Sequence, residues 1–122
     1  YRLRRKNGSS DPFSAGSLVA ADGSRRALGT ADVIIESLDS WTSPASGVTY
    51  PMGWRIELPH EDIVLDVQPY LEAQEVDLSV RYWEGAVRLT GRIDGGKPVS
   101  GEGYVELTGY GQKNGDIPDF QP

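Results

Sequence analysis

Apolar and polar residues alternate at a period of two along much of this chain, and no window of useful length favours the helical period. Val87 and Leu89, for example, alternate with Arg88. Because successive side chains of a strand point to opposite faces of a sheet, the pattern predicts strands with one packed face and one wet face. The fold is therefore predicted to be all-β.

Turn-forming residues separate the alternating segments. The predicted strands are 1–6, 16–21, 31–38, 53–58, 63–67, 76–83, 86–93 and 103–110. The predicted turns are Asn7-Gly8, Asp22-Gly23, Asp94-Gly95-Gly96 and Gly101-Glu102-Gly103, and Pro59 is expected to end the strand before it. Short strands at hairpin spacing, without helices, predict an antiparallel barrel or sandwich.

Composition limits the classes of partner. A net charge of −6 gives no general affinity for phosphate backbones, so we expect no nucleic-acid partner. No apolar run approaches the roughly 20 residues of a membrane helix, so we expect no membrane span. Without cysteine, and with one histidine, the chain offers neither thiolate nor multi-histidine metal sites. It also lacks phosphate-loop and dinucleotide fingerprints, so no cofactor is expected.

Four stretches follow one another in a distinctive order: "YRLRRKNG" at the start, a tryptophan-containing segment from Trp41 to Trp54, "YWEGAV" at 82–87 and "GEGYVELTGY" at 101–110. This order resembles the C-terminal lipocalin-like domain of the AttH-type family. That family includes proteins labelled predicted secreted hydrolases and carotenoid 1,2-hydratases, and fungal decalin-forming cyclases are distant relatives. The resemblance extends from Tyr1 to about Gly111.

The resemblance implies an antiparallel lipocalin-like β-barrel of about eight strands over residues 1–111. An irregular tail is expected at 112–122. The barrel would be the second of a tandem pair, and one strand is expected upstream of "YRLRR". Because a missing strand would leave an open edge, an upstream lipocalin-like domain or segment is the expected partner that closes it. The implied location is secreted or periplasmic, with the cytoplasm left open.

Glu84 and Glu106 are the candidate catalytic residues. In a hydratase-type reaction a carboxylic acid with a raised pKa would protonate a carbon–carbon double bond, and Trp83 beside Glu84 could supply the desolvation. Alternatively, Gly85 favours a bend at Glu84 between two strands. Glu106 shares one strand face with Tyr104, Thr108 and Tyr110, and that face either lines an enclosed cavity or is solvated.

Aromatic residues supply the candidate ligand contacts. Trp41, Tyr50 and Trp54 surround a segment rich in turn residues, where they could form the mouth of a ligand cavity or plug a barrel end. The full set of predicted ligand-binding residues is Trp41, Tyr50, Trp54, Tyr82, Trp83, Tyr104 and Tyr110. His60 follows Pro59, where a surface turn is a simpler explanation than acid–base catalysis.

Three functions are compatible with these features. The main prediction is a lipocalin-like domain that binds an apolar or amphipathic small molecule. The second is a hydratase or cyclase acting on a polyene or terpenoid through Glu84 or Glu106. The third is a non-catalytic domain that supports an N-terminal barrel. No nucleophile elbow is present, and a Ser-His-Asp triad would have to use His60.

Overall fold

A computed structural model describes residues 1–3, 5–6 and 9–111. The predicted Asn7-Gly8 turn and the predicted tail 112–122 lie outside the described residues. Within them the chain forms strands and two single-turn 3₁₀ helices, Thr30–Asp32 and Pro59–Glu61. The strands are β1 (Arg5–Lys6), β2 (Ser9–Ser10), β3 (Gly16–Val19), β4 (Arg25–Leu28), β5 (Ile34–Thr42), β6 (Thr49–Leu58), β7 (Ile63–Pro69), β8 (Glu75–Asp77), β9 (Arg81–Ile93) and β10 (Lys97–Thr108).

The main sheet is antiparallel, with strand order β10-β9-β7-β6-β5 and with β8 also paired to β9. The hairpins β1–β2 and β3–β4 are separate two-stranded sheets. These pairings confirm the all-β antiparallel prediction. Over the described residues β5 and β10 do not pair with each other, so the main sheet is open and barrel closure stays a prediction. No helix in this part of the chain is long and apolar enough to cross a membrane.

The predicted bend at Glu84-Gly85 is wrong. Both residues lie inside β9, which runs unbroken from Arg81 to Ile93. Gly85 serves a close approach rather than a turn, because a Cβ atom placed there would collide with the side-chain amide of Gln74. The glycine after an acid was therefore a misleading turn signal.

The predicted turn at Gly101-Glu102-Gly103 is also wrong, because these residues lie in the middle of β10. The β9–β10 hairpin reverses at the predicted turn, where Asp94, Gly95 and Gly96 have φ of 47°, 77° and 99°. Three successive residues with positive φ suit a tight reversal of the chain. Gly103 instead leaves room for the side chain of Leu89 on the neighbouring strand.

A break between β7 and β8 determines which residue of β9 each side chain of β8 faces. Both strands pair with the same edge of β9, and the five residues 70–74 lie opposite the three residues 84–86. The indole Nε1 of Trp83 donates to the Glu72 carbonyl at 2.6 Å, which fastens the inserted segment to β9. With this offset Glu75 lies directly opposite Trp83, and both side chains share the core face of the sheet.

One face of the main sheet carries the larger core. Its buried members are Val48, Tyr50, Met52, Trp54, Val67, Trp83 and Val87. A smaller cluster of Leu28, Val33 and Leu58 packs beside it, with Leu18 of β3 against it. Burying each such large side chain contributes about 1.5–3 kcal/mol. Trp83 is fully buried and Tyr50 nearly so, which makes the β6–β9 region the centre of this core.

Candidate functional site

The carboxylate of Glu75 accepts three side-chain hydrogen bonds from the β5–β6 hairpin. Ser43 Oγ donates to Oε1 at 2.8 Å, and Ser46 Oγ and the Tyr50 hydroxyl each donate to Oε2 at 2.7 Å. Three donors converge on one anion, and hydrogen bonds to a charged acceptor are stronger than neutral ones. The arrangement joins β8 to the loop between β5 and β6.

Hydrogen bonds within the loop also hold its conformation. Ser43 Oγ accepts hydrogen bonds from the amides of Ala45 and Ser46, and Ser46 Oγ accepts one from the amide of Val48. Gly47 supplies the positive φ of 75° that closes the turn. Each serine hydroxyl therefore receives backbone protons and directs its own proton at the carboxylate.

The hydrogen bonds decide the ionisation of this group. Burial opposes ionisation of Glu75, but the donors Tyr50, Ser46 and Ser43 outweigh it and hold the pKa of the carboxyl below its ordinary range. The pKa of Tyr50 is raised, first by burial and then by its hydrogen bond to Glu75. The phenol therefore stays a donor, and the carboxylate stays charged at neutral pH.

Arg81 and Asp77 are the other charged groups that act on this network. The Arg81 guanidinium pairs with Asp77 at 3.3 Å. Arg81 lowers the pKa of Glu75, but its ion pair with Asp77 already balances its charge. One guanidinium and two carboxylates leave a single net negative charge at Glu75.

A cleft of about 180 Å³ lies beside the carboxylate, lined by Trp41, Ser43, Pro44, Ala45, Ala73 and Glu75. Trp41 stacks on Tyr50, with ring centroids 6.1 Å apart and planes inclined at 23°. The cleft thus combines one aromatic wall, small apolar side chains and one anion. Its volume is below the roughly 300–1,000 Å³ of a site for a drug-sized ligand, so it suits a head group or a short chain.

The structure brings three of the predicted ligand-binding residues together. Trp41 and Tyr50 are directly opposite each other in the β5–β6 ladder, and the Tyr110 ring lies 5.8 Å from that of Tyr50. Trp54 and Trp83 pack together at 6.1 Å within the core, away from solvent. Of the predicted set, Trp41 lines the cleft, Tyr50 stacks on Trp41, and Tyr110 contacts the ring of Tyr50.

The two candidate catalytic residues also meet, but on the other face of the sheet. Glu84 and Glu106 are directly opposite partners in the β9–β10 ladder, as are Tyr82 and Thr108. Trp83 points to the core face, so the expected desolvation of Glu84 by its neighbour is wrong, since adjacent strand residues point to opposite sides.

Tyr104 also belongs to this outer face and is 65% exposed. Its pKa is raised by local desolvation and by the hydrogen-bonded carboxylate of Glu84. Glu106 is exposed beside it. This part of the outer face is thus a polar surface on which Glu84, Glu106, Tyr82 and Tyr104 lie close together.

His60 occupies the 3₁₀ helix Pro59–Glu61 at the end of β6 and is exposed. Its neighbour Glu61 forms an ion pair with Arg26 of β4. This placement matches the surface turn predicted at Pro59.

A second hollow, of about 270 Å³, opens between β6, β7 and β9. Its walls include Arg55 and Asp66, which form a two-contact ion pair at 2.8 and 3.2 Å. That pair raises the pKa of Arg55 and lowers that of Asp66. The Arg55 and Asp66 charges therefore satisfy each other, and Glu57 and Arg92 are the other charged residues of the lining. Among the described residues no group of three or more acidic or histidine side chains could hold a metal ion.

Glu75 was missed by the sequence reasoning. It lies in the polar segment "EAQEVD", where the alternation is weak, and the strand was predicted to begin one residue later. The partners of Glu75 were more visible, in "SPAS" at 43–46, because proline and serine favour turns in which serine hydroxyls bond to nearby backbone. The residues next to Glu75 in the sequence form no pattern that predicts its contact with these hydroxyl groups.

The AttH-like family model matches residues 1–110. A solved structure from Nitrosomonas europaea, described as a candidate AttH protein, is similar with a TM-score of 0.74 and 30% sequence identity. The match covers 89% of this chain and 33% of that one, so the chain spans about a third of the length of the solved relative. No curated protein matches the sequence.

Proposed function

The chain belongs to the AttH-like family, and from that premise we propose that it is a lipocalin-like domain that binds an apolar or amphipathic small molecule at the cleft beside Trp41. The observation that carries the proposal is the pairing of an aromatic wall with one charged carboxylate. A small ligand site is expected to combine apolar walls with a few fixed polar groups, and this cleft has both.

The domain is proposed to act within a larger protein. The open edges at β5 and β10 support a role for an upstream lipocalin-like domain or segment that completes a barrel. Such closure would deepen the cleft, because Trp41 lies near the end of edge strand β5. A secreted or periplasmic location is part of the same proposal.

Uptake of a neutral lipophilic probe tests the binding function. The heat released on titration with octanol is expected to saturate with the wild-type protein. Trp41→Ala should weaken this uptake by at least about ten-fold, since it removes the aromatic wall. Phe13→Ala is the matched control, because Phe13 is 76% exposed and lies outside the cleft lining. Absence of saturable uptake would favour the structural-support function instead.

One observation favours the hydratase or cyclase function as a second candidate. Glu84 and Glu106 face each other across adjacent strands, on the same face of the sheet as Tyr82 and Tyr104. Carboxyl groups are among the side chains that transfer protons in general acid–base catalysis, and protonation of a double bond would need such a group beside the substrate. Product formed from a polyene, and abolished by either Glu84→Gln or Glu106→Gln, would establish this function; product formation unaffected by both changes would reject these donors.

A further inference from the structure

Resting on the binding function proposed above, we propose that the cleft is selective for the protonated amine head group of an amphipathic ligand, which pairs with Glu75 while its alkyl chain contacts Trp41. The ligand class is therefore cationic amphiphiles rather than neutral or anionic lipids.

The first argument is the count of acceptor sites on the carboxylate. A carboxylate offers about four lone-pair sites. Among the described residues, Ser46 and Tyr50 both donate to Oε2, whereas Ser43 is the one donor to Oε1. One acceptor site on Oε1 is thus left for a further donor, and Glu75 itself lines the cleft.

The second argument is charge. Asp77 already pairs with Arg81, so the network retains the negative charge of Glu75. A cationic head group would neutralise that charge, and a hydrogen bond between ammonium and carboxylate is about twice as strong as a neutral one. An anionic head group would be repelled at the same distance.

The third argument is the aromatic wall. Trp41 is half-buried and lines the same cleft as Glu75. The face of an indole ring attracts cations, and tryptophan does so better than tyrosine or phenylalanine. An ammonium held between Trp41 and Glu75 would gain from both groups, while a hydroxyl would gain from the hydrogen bond alone.

Calorimetric titration with octylamine, octanol and octanoate tests this selectivity, since the three probes share one alkyl chain. The wild-type protein is expected to bind octylamine at least about ten-fold more tightly than octanol, and octanoate more weakly than either. Glu75→Gln should remove the preference for the amine. Glu36→Gln is the control, because it removes one charge from exposed strand β5 and should leave the preference intact.

The salt dependence of binding tests the same selectivity without a variant. Raising the sodium chloride concentration should weaken octylamine binding to the wild-type protein and leave octanol binding nearly unchanged. Equal binding of all three probes, or tighter binding of octanoate, would overturn the head-group selectivity and leave the binding function standing. Failure of all three to bind would overturn the binding function and the selectivity with it.

Discussion

Tyr50 donates its phenolic hydroxyl to the carboxylate of Glu75 at 2.7 Å, although the two residues are 25 positions apart in the chain. The contact joins β6, in the core, to β8, which follows the break after β7. Because Tyr50 is almost fully buried, its hydroxyl has no ready replacement partner in water. The cleft beside Trp41 is therefore built on a hydrogen bond that also stabilises the fold.

Tyr50→Phe and Glu75→Gln are expected to destabilise the protein through one shared interaction. Each single change should lower the free energy of unfolding by about 1–3 kcal/mol, because each removes a hydrogen bond to a charged or buried group. The double variant should lose less than the sum of the two, which urea unfolding of all four proteins would reveal. Additive losses would mean that Tyr50 and Glu75 act independently.

The acid limb of the stability profile should depend on Glu75. Its folded-state pKa lies below the ordinary value of 4.5, so its contribution is fully present above that value and is lost as the pH falls through the lower folded-state pKa. The stability difference between wild type and Glu75→Gln should therefore shrink as the pH falls below 4.5. Urea midpoints measured across that range provide the check, and a difference independent of pH would refute the assignment.

Replacing two glycines of the β9–β10 hairpin by alanine should change the stability of the protein to very different extents. A Cβ atom at Gly91 would collide with the backbone carbonyl of Val64, whereas a Cβ atom at Gly101 meets nothing within 4 Å. Gly91→Ala is expected to cost about 2 kcal/mol or more, because backbone cannot move aside as a side chain can. Gly101→Ala should change the free energy of unfolding by less than about 0.5 kcal/mol. Equal effects on thermal unfolding would contradict the close β7–β9 approach.

Two charge pairs of the same hairpin should also differ in their effect on stability. Glu106 faces Glu84, while Glu102 faces Arg88 and accepts a hydrogen bond from Tyr70. Like charges directly opposite one another destabilise a ladder, so Glu106→Gln should raise the free energy of unfolding by about 0.2–1 kcal/mol. Glu102→Gln should lower it by a similar amount. The reverse order of stabilities in urea would show that the charge of the directly opposite residue does not determine the stability effect of Glu102 and Glu106.

Side-chain parity made much of the fold predictable. The period of two places neighbouring residues such as Tyr82 and Trp83 on opposite faces, and Trp83 is buried on the core face. The turn at Asp94 to Gly96 was predicted because residues of that kind adopt positive φ. Gly85 and Gly103 were misread, because from sequence alone a glycine at a close contact looks the same as one needed for a turn. Gly101 was misread too, although a Cβ atom there would meet nothing within 4 Å.

The site was less accessible to sequence reasoning. Trp41 and Tyr50 were recognised as one aromatic group, and the β5–β6 ladder places them opposite each other. Glu75 could not be recognised, because its partners come from a different hairpin and its place opposite Trp83 depends on the two-residue offset after β7. Long-range contacts of this kind leave no local pattern.

The indole N–H signals of the three tryptophans give the most direct measure of ligand binding at this cleft. Each signal can be assigned from a single Trp→Phe variant and followed by NMR during titration with octylamine. Trp41 lines the cleft, whereas the Trp83 indole is buried and bonded to the Glu72 carbonyl. We predict a saturable shift that is largest at Trp41 and small at Trp54 and Trp83. An unchanged Trp41 signal, or a larger shift at Trp54, would contradict binding at this cleft.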